Sequence, residues 1–164
     1  FRIMYFFMIT IYVLSGISFL ALLTTGLQGY FGFPVLGANH PTFALLTAMI
    51  YLFTEVLVMF FFVGTGVSIK EYVQDGKANP EFHRRSIAIK RILYSPTLLN
   101  VLLFMTVFII GGAVDTGFVP AWSHGVLFLV TLLHFAKTLT IQNACFKEDT
   151  AIILEMTEAI PTDS

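Results

Sequence analysis

Cysteine and charge are what this sequence has least of. Its 164 residues include one cysteine, Cys145, which excludes an internal disulfide and any metal site built on several thiolates. Charged residues make up only 12%, about half the share usual in soluble domains. Positive and negative side chains nearly cancel, and the net charge of -1 points to no class of partner. Catalytic signatures are missing too. No nucleophilic triad, phosphate-binding glycine loop or dinucleotide fingerprint is present, and Gly64-Thr65-Gly66 is a lone GxG without a preceding strand. The histidines stand apart at 40, 83, 124 and 134, so no HxxxH or HExxH pair exists. Segments of about ten residues alternating polar and apolar, the mark of a membrane β-barrel, are also absent. No fixed-period repeat is seen.

What is there is hydrocarbon. Hydrophobic residues make up 57%, eighteen of the residues are Phe, and the mean hydropathy is +0.84. Four runs, approximately 3–27, 43–69, 92–114 and 121–145, are long enough to cross a membrane core, which takes about 20 residues. Backbone in lipid must satisfy its own hydrogen bonds, so such runs are expected to be helices. The expectation is an all-α integral membrane protein: one domain over 1–164, a four-transmembrane-helix bundle of two helical hairpins. The first run is too long for a signal peptide and lacks a small-residue cleavage site, so it reads as a true span.

Charge sets the expected orientation. The connection 70–91 holds six of the nine Lys and Arg, whereas 28–42 and 115–120 hold none. The positive-inside rule therefore places the 70–91 loop and both termini on the cytoplasmic or matrix side, in a bacterial inner membrane or an organellar inner membrane. Tyr30, Phe31, Phe33 and Trp122 fall at the outer ends and Tyr72, Phe82 and Tyr94 at the inner ones, as aromatic belts do. Pro41 and Pro120 suit helix starts, and Asn79-Pro80 breaks the basic loop. The tail 146–164 is expected to extend the fourth helix amphipathically and to fray at PTDS.

Four polar groups fall inside the runs: Glu55, Asn100, His134 and Lys137. Helix rise puts them in the middle and inner half of the bundle. A charge at mid-bilayer costs about 2.5–3.5 kcal/mol on insertion scales, so Glu55 should face the interior, paired or protonated. Lys137 is the only basic side chain within a run and the obvious partner, unless it snorkels to the interface. Such a seam either fixes helix register or handles protons. At the outer surface, His40 and His124 share a level with Asp115. The two imidazoles are candidate ligands of a b-type haem held between spans 2 and 4. With the carboxylate they could hold Zn, Cu or non-haem Fe, and the bland alternative is hydrogen bonding to loops and head groups. The cofactor stays open. Arg84, Arg85, Lys90 and Arg91 abut the membrane and suit anionic lipid, as does His83 beside them, while nucleic acid would need a larger basic surface.

The expected function is a small integral subunit of a larger membrane complex. It would anchor or assemble partners among other membrane subunits or copies of itself, in a respiratory or redox setting with haem or quinone contact. It is not expected to be catalytic on its own. The alternative is a proton- or ion-translocating bundle working through the Glu/His/Lys seam. A membrane-embedded enzyme using the outer His and Asp groups ranks below both.

Overall fold

A peptide group in hydrocarbon finds no water, so a spanning segment closes its hydrogen bonds within its own helix. The apolar runs of this chain do so. The structure, a computed structural model, describes residues 2–158, with side chains from residue 3. It holds four helices: α1 (Arg2–Phe31), α2 (His40–Gln74), α3 (Pro80–Asp115) and α4 (Ala121–Glu158). All four are long and apolar enough to cross a membrane. The expected fraying at PTDS lies outside the described residues.

The helices exceed the apolar runs, most clearly around the basic segment. Only 75–79 is non-helical there, and the run 83–91 forms the start of α3 rather than a loop. The cause is local. Gly76 takes a φ of +73°, and α2 ends with Gly76 N–H on the Val73 carbonyl and Lys77 N–H on the Tyr72 carbonyl. That is a Schellman closure. Three residues later Asn79 accepts from the Glu81 N–H at 2.9 Å, and Pro80 occupies the first turn. A good cap and a preset φ restart the helix at once. Gly117 closes α3 in the same way.

Sequence neighbours pack side by side. Contact is most extensive between α3 and α4, then between α1 and α2, then between α2 and α3. α1 and α4 touch over few residues, α2 meets α4 across the centre, and α1 and α3 do not meet. The bundle has two distinct ends. His40 and His124 lie at one, called here the histidine end. Arg85 and Lys90 lie at the other, the basic end.

The interior is layered. Leu22, Ala48, Tyr51, Phe104 and Phe135 form an apolar cluster below the histidine end. Val58, Phe62, Leu93, Phe146 and Ile152 belong to a second cluster toward the basic end. Between them runs a belt of buried polar groups that includes Glu55, Thr97, Asn100 and Gln142. The outward faces are apolar: Phe60, Leu102 and Leu133 are 66%, 63% and 65% exposed. In water so much exposed hydrocarbon would be an aggregation surface, and the four apolar helices suggest a membrane protein.

Hydrocarbon gives helices little reason to associate by the hydrophobic effect, so small residues and polar contacts carry more of the work. Two hydroxyl pairs join α1 to α2: Ser18 with Thr54 at 3.1 Å, and Thr25 with Thr47 at 2.9 Å. Thr54 already donates to the Ile50 carbonyl at 2.7 Å, which leaves Ser18 as donor in the first pair. A double-mutant cycle with Ser18→Ala and Thr54→Val is expected to return a coupling of about 0.6 kcal/mol in detergent unfolding. A coupling of zero would mean that these hydroxyls do not hold α1 against α2.

Candidate functional site

The histidine end is built by its turns. Gln28, buried in the last turn of α1, donates to the Ala38 carbonyl at 2.9 Å and ties the 32–39 connection to the bundle. Asn39 then caps α2 by accepting from the Thr42 N–H at 3.1 Å. These two bonds fix His40 at the first position of the helix. On the other side the Ser123 hydroxyl and N–H both bond the Pro120 carbonyl, which sets the first turn of α4 and with it His124.

The two imidazoles meet. Their ring centroids are 6.4 Å apart and their planes are inclined at 75°. Each ring rests on a glycine of a neighbouring helix. A Cβ on Gly29 would lie 3.1 Å from His40 Cε1, and one on Gly111 would lie 3.1 Å from His124 Cε1. Any side chain at either position would push an imidazole away. The Nδ1 atom of each ring is enclosed; that of His40 has no hydrogen-bond partner among the described residues, and the His124 ring lies against the Val107 backbone. Both rings line a cavity of ≈ 680 Å³ whose walls come from all four helices. Phe104, Val107 and Phe128 make those walls largely apolar, and Tyr30 and Trp122 stand among the lining residues near the helix ends. Gly26 also lines it, where a Cβ would come within 2.6 Å of the Phe128 ring.

Asp115 lines the same cavity. It does not complete a three-donor set: among the described residues no group of three or more His, Cys, Asp or Glu is placed to hold an ion. The expected Zn, Cu or non-haem Fe arrangement therefore lacks its third ligand here. What the site offers a cofactor is two facing imidazoles and room around them.

The polar belt is connected differently from the expected seam. Gln142 donates from Nε2 to Glu55 Oε2 at 2.8 Å and reaches Thr97 Oγ1 at 3.3 Å. Glu55 is fully buried, and its Oε1 has no partner among the described residues. Asn100 donates to the Tyr51 hydroxyl at 2.6 Å and accepts from His134 Nδ1 at 2.8 Å. Asn100 and His134 thus share one level of the bundle, and Glu55 and Gln142 the next toward the basic end. Lys137 does not join them. The buried stripe of α4 runs through 131, 135, 138, 142, 145 and 149, whereas 133, 137, 140 and 144 are exposed. Five residues separate Lys137 from Gln142, which at about 100° per residue turns Lys137 well away from the interior. The amide, not the ammonium, meets Glu55.

At the basic end the four predicted lipid contacts divide. Arg91 is exposed, and Arg84 is exposed but paired with Glu81. Arg85 is engaged with α4, to Glu148 at 2.7 Å and Glu155 at 2.5 Å. Those bonds, and after them the guanidinium charge, hold the Glu155 carboxyl below its ordinary range. Lys90 turns inward, and a Cβ on Gly66 would meet its Nζ. His83 is half-buried. Beside Lys90 lies a carboxylate that the sequence reading missed. Asp149 is buried, accepts from Thr65 Oγ1 at 3.2 Å, and has an unpartnered Oδ2. The signal was available in the continuing spacing Gln142, Cys145, Asp149, Ile152, Met156.

Comparison with protein-family models, with curated proteins and with solved structures finds no match to this chain. Its chemistry must be read from the residues. For the belt, Gln142→Leu leaves the Glu55 carboxyl without its donor and is expected to cost about 1–3 kcal/mol in detergent unfolding. Adding Glu55→Leu should recover most of that loss, because both polar partners are then gone. Failure of the double variant to recover would show that the pair does not carry the cost.

Proposed function

We propose that this chain is a small membrane-integral redox subunit that holds one b-type haem between His40 and His124, near the outer side of the membrane. The observation that carries the reading is the imidazole pair. To hold one haem both rings would have to stand close together, a condition that edge-to-face ring pairs, at about 4.5–7 Å, also meet. The separation in this protein is 6.4 Å. The glycine cradles and the apolar cavity support the same reading. Haem, when bound, supplies a one-electron couple at its iron.

The chain's own residues do the rest. His40 and His124 hold the group from opposite helices. Gly29 and Gly111 let each ring seat against the backbone. Phe104 and Phe128 keep water out, and the Tyr30 hydroxyl and Trp122 indole offer donors in the cavity lining. The concentration of Lys and Arg at the far end favours placing that end, with both termini, on the cytoplasmic or matrix side. Exposed apolar faces such as Phe60 and Leu102 suit lipid or neighbouring subunits of a larger complex.

The proton-translocating reading is weaker. The belt is bounded on the histidine side by Leu22, Tyr51, Phe104 and Phe135, and on the basic side by Val58, Phe62 and Phe146. Buried hydroxyls pass through these levels, at Thr25, Thr47, Ser18 and Thr54, but among the described residues none is hydrogen-bonded to the Glu55 carboxyl, whose donor is Gln142.

A dithionite-reduced minus oxidised spectrum of the protein, purified in mild detergent with its co-purifying chains, tests the proposal. A b-type α-band is expected, lost in His40→Ala and in His124→Ala and strongly reduced in Gly111→Leu. Folded protein with no band, or a band that survives both histidine substitutions, would overturn it.

A further inference from the structure

A second opening lies between α1 and α4, where those helices touch least. It is a cleft of ≈ 260 Å³ lined in part by Tyr12, Ser15, Phe19, Asn143 and Phe146, and Gln142 also reaches it. It is separate from the histidine cavity, which it shares no residue with. Gly16 keeps one side clear, since a Cβ there would meet nothing within 4 Å.

The polar groups of this cleft are not spent on each other. Tyr12 donates its hydroxyl proton to Asn143 Oδ1 at 2.8 Å, which turns the amide so that its NH₂ is left over. Neither that NH₂ nor the Ser15 hydroxyl has a partner among the described residues, although Ser15 is only 9% exposed. Tyr12 and Phe146 form an aromatic wall, with centroids 5.3 Å apart. Behind the wall Gln142 holds Glu55.

Two unspent donors, Ser15 on α1 and Asn143 on α4, line one cleft and call for a ligand with acceptors. Aromatic walls call for a flat ring. The cleft carries no charged side chain, which disfavours a phospholipid head group. A bare acyl chain would leave both donors unsatisfied. We propose that this cleft binds the head group of a lipid-soluble quinone, with Asn143 and Ser15 donating to its ring oxygens and its tail leaving between α1 and α4. The choice of a quinone over another flat ring with acceptor oxygens rests on the redox reading above, whereas the site itself does not.

The test is equilibrium binding of decylubiquinone to the full chain in lipid nanodiscs, with protein-free nanodiscs as the partition blank. Saturable binding of one molecule per chain is expected. Asn143→Leu should weaken it about tenfold, the loss of one well-placed donor. Ser15→Val should weaken it severalfold, and it decides the matter if Asn143→Leu does not fold. Uptake that rises linearly with lipid, or saturable binding indifferent to both cleft variants, overturns the quinone site. Saturable, variant-sensitive binding in a protein without a haem band overturns the haem reading and keeps the cleft.

Discussion

A carboxyl group enclosed among four apolar helices has to be met by a donor, and the bundle is arranged around that requirement at Glu55. Gln142 meets it, and the same amide reaches Thr97, so one contact joins α2, α3 and α4. Asn100 repeats the pattern one level away, between Tyr51 of α2 and His134 of α4. Leucines and phenylalanines can slide past one another at small cost, but these pairs cannot. The belt therefore sets the rotation of three helices. Its effect extends to the histidine end. His124 lies eighteen residues before Gln142, about five full turns, and so falls on the same face of α4. His40 lies fifteen residues before Glu55, about 60° off that face of α2. Fixing Glu55 against Gln142 thus turns both imidazoles toward the bundle interior some 22–27 Å away.

Rotation alone would not bring the rings together, because bulk decides how closely they sit. Glycine does this twice, with Gly29 of α1 under His40 and Gly111 of α3 under His124. The outer pair of helices supplies the cradles and the central pair supplies the ligands. Elsewhere glycine lets a flexible charged side chain in, as at Gly66 under Lys90. In hydrocarbon, where close backbone approach replaces much of the hydrophobic drive, these positions shape the bundle as strongly as its phenylalanines.

The four helices were legible in hydropathy alone, because length and apolar continuity leave lipid-bound backbone no other structure. The closeness of His40 and His124 was half legible: both begin helices that run in the same direction through the bundle and so share a level, but a level does not fix a face. The partner of Glu55 was misread for a related reason. Charge argued for Lys137, and the face of α4 argued for Gln142, and geometry prevails because an ammonium on the outside of a helix cannot reach through it. Asp149 was missed because the tail looked like a solvated amphipathic extension, whereas the interior stripe of α4 continues to Met156. The basic run was taken as loop because its charge was weighed ahead of its caps, and Gly76 and Asn79 shorten the true connection to five residues.

Layering is what separates the two kinds of traffic a membrane bundle can carry. A proton needs an unbroken file of water or polar groups, and among the described residues the hydroxyl pairs Ser18–Thr54 and Thr25–Thr47 are not hydrogen-bonded to the Glu55 carboxyl. An electron needs no such file and crosses apolar packing directly. A belt whose members are hydrogen-bonded across α2, α3 and α4 suits a structural register. A cavity walled by apolar side chains, with two facing imidazoles at its edge, suits a group whose work is done by electrons. The proposed function therefore rests on the histidine pair, which lines a cavity, rather than on Glu55, which is fully buried.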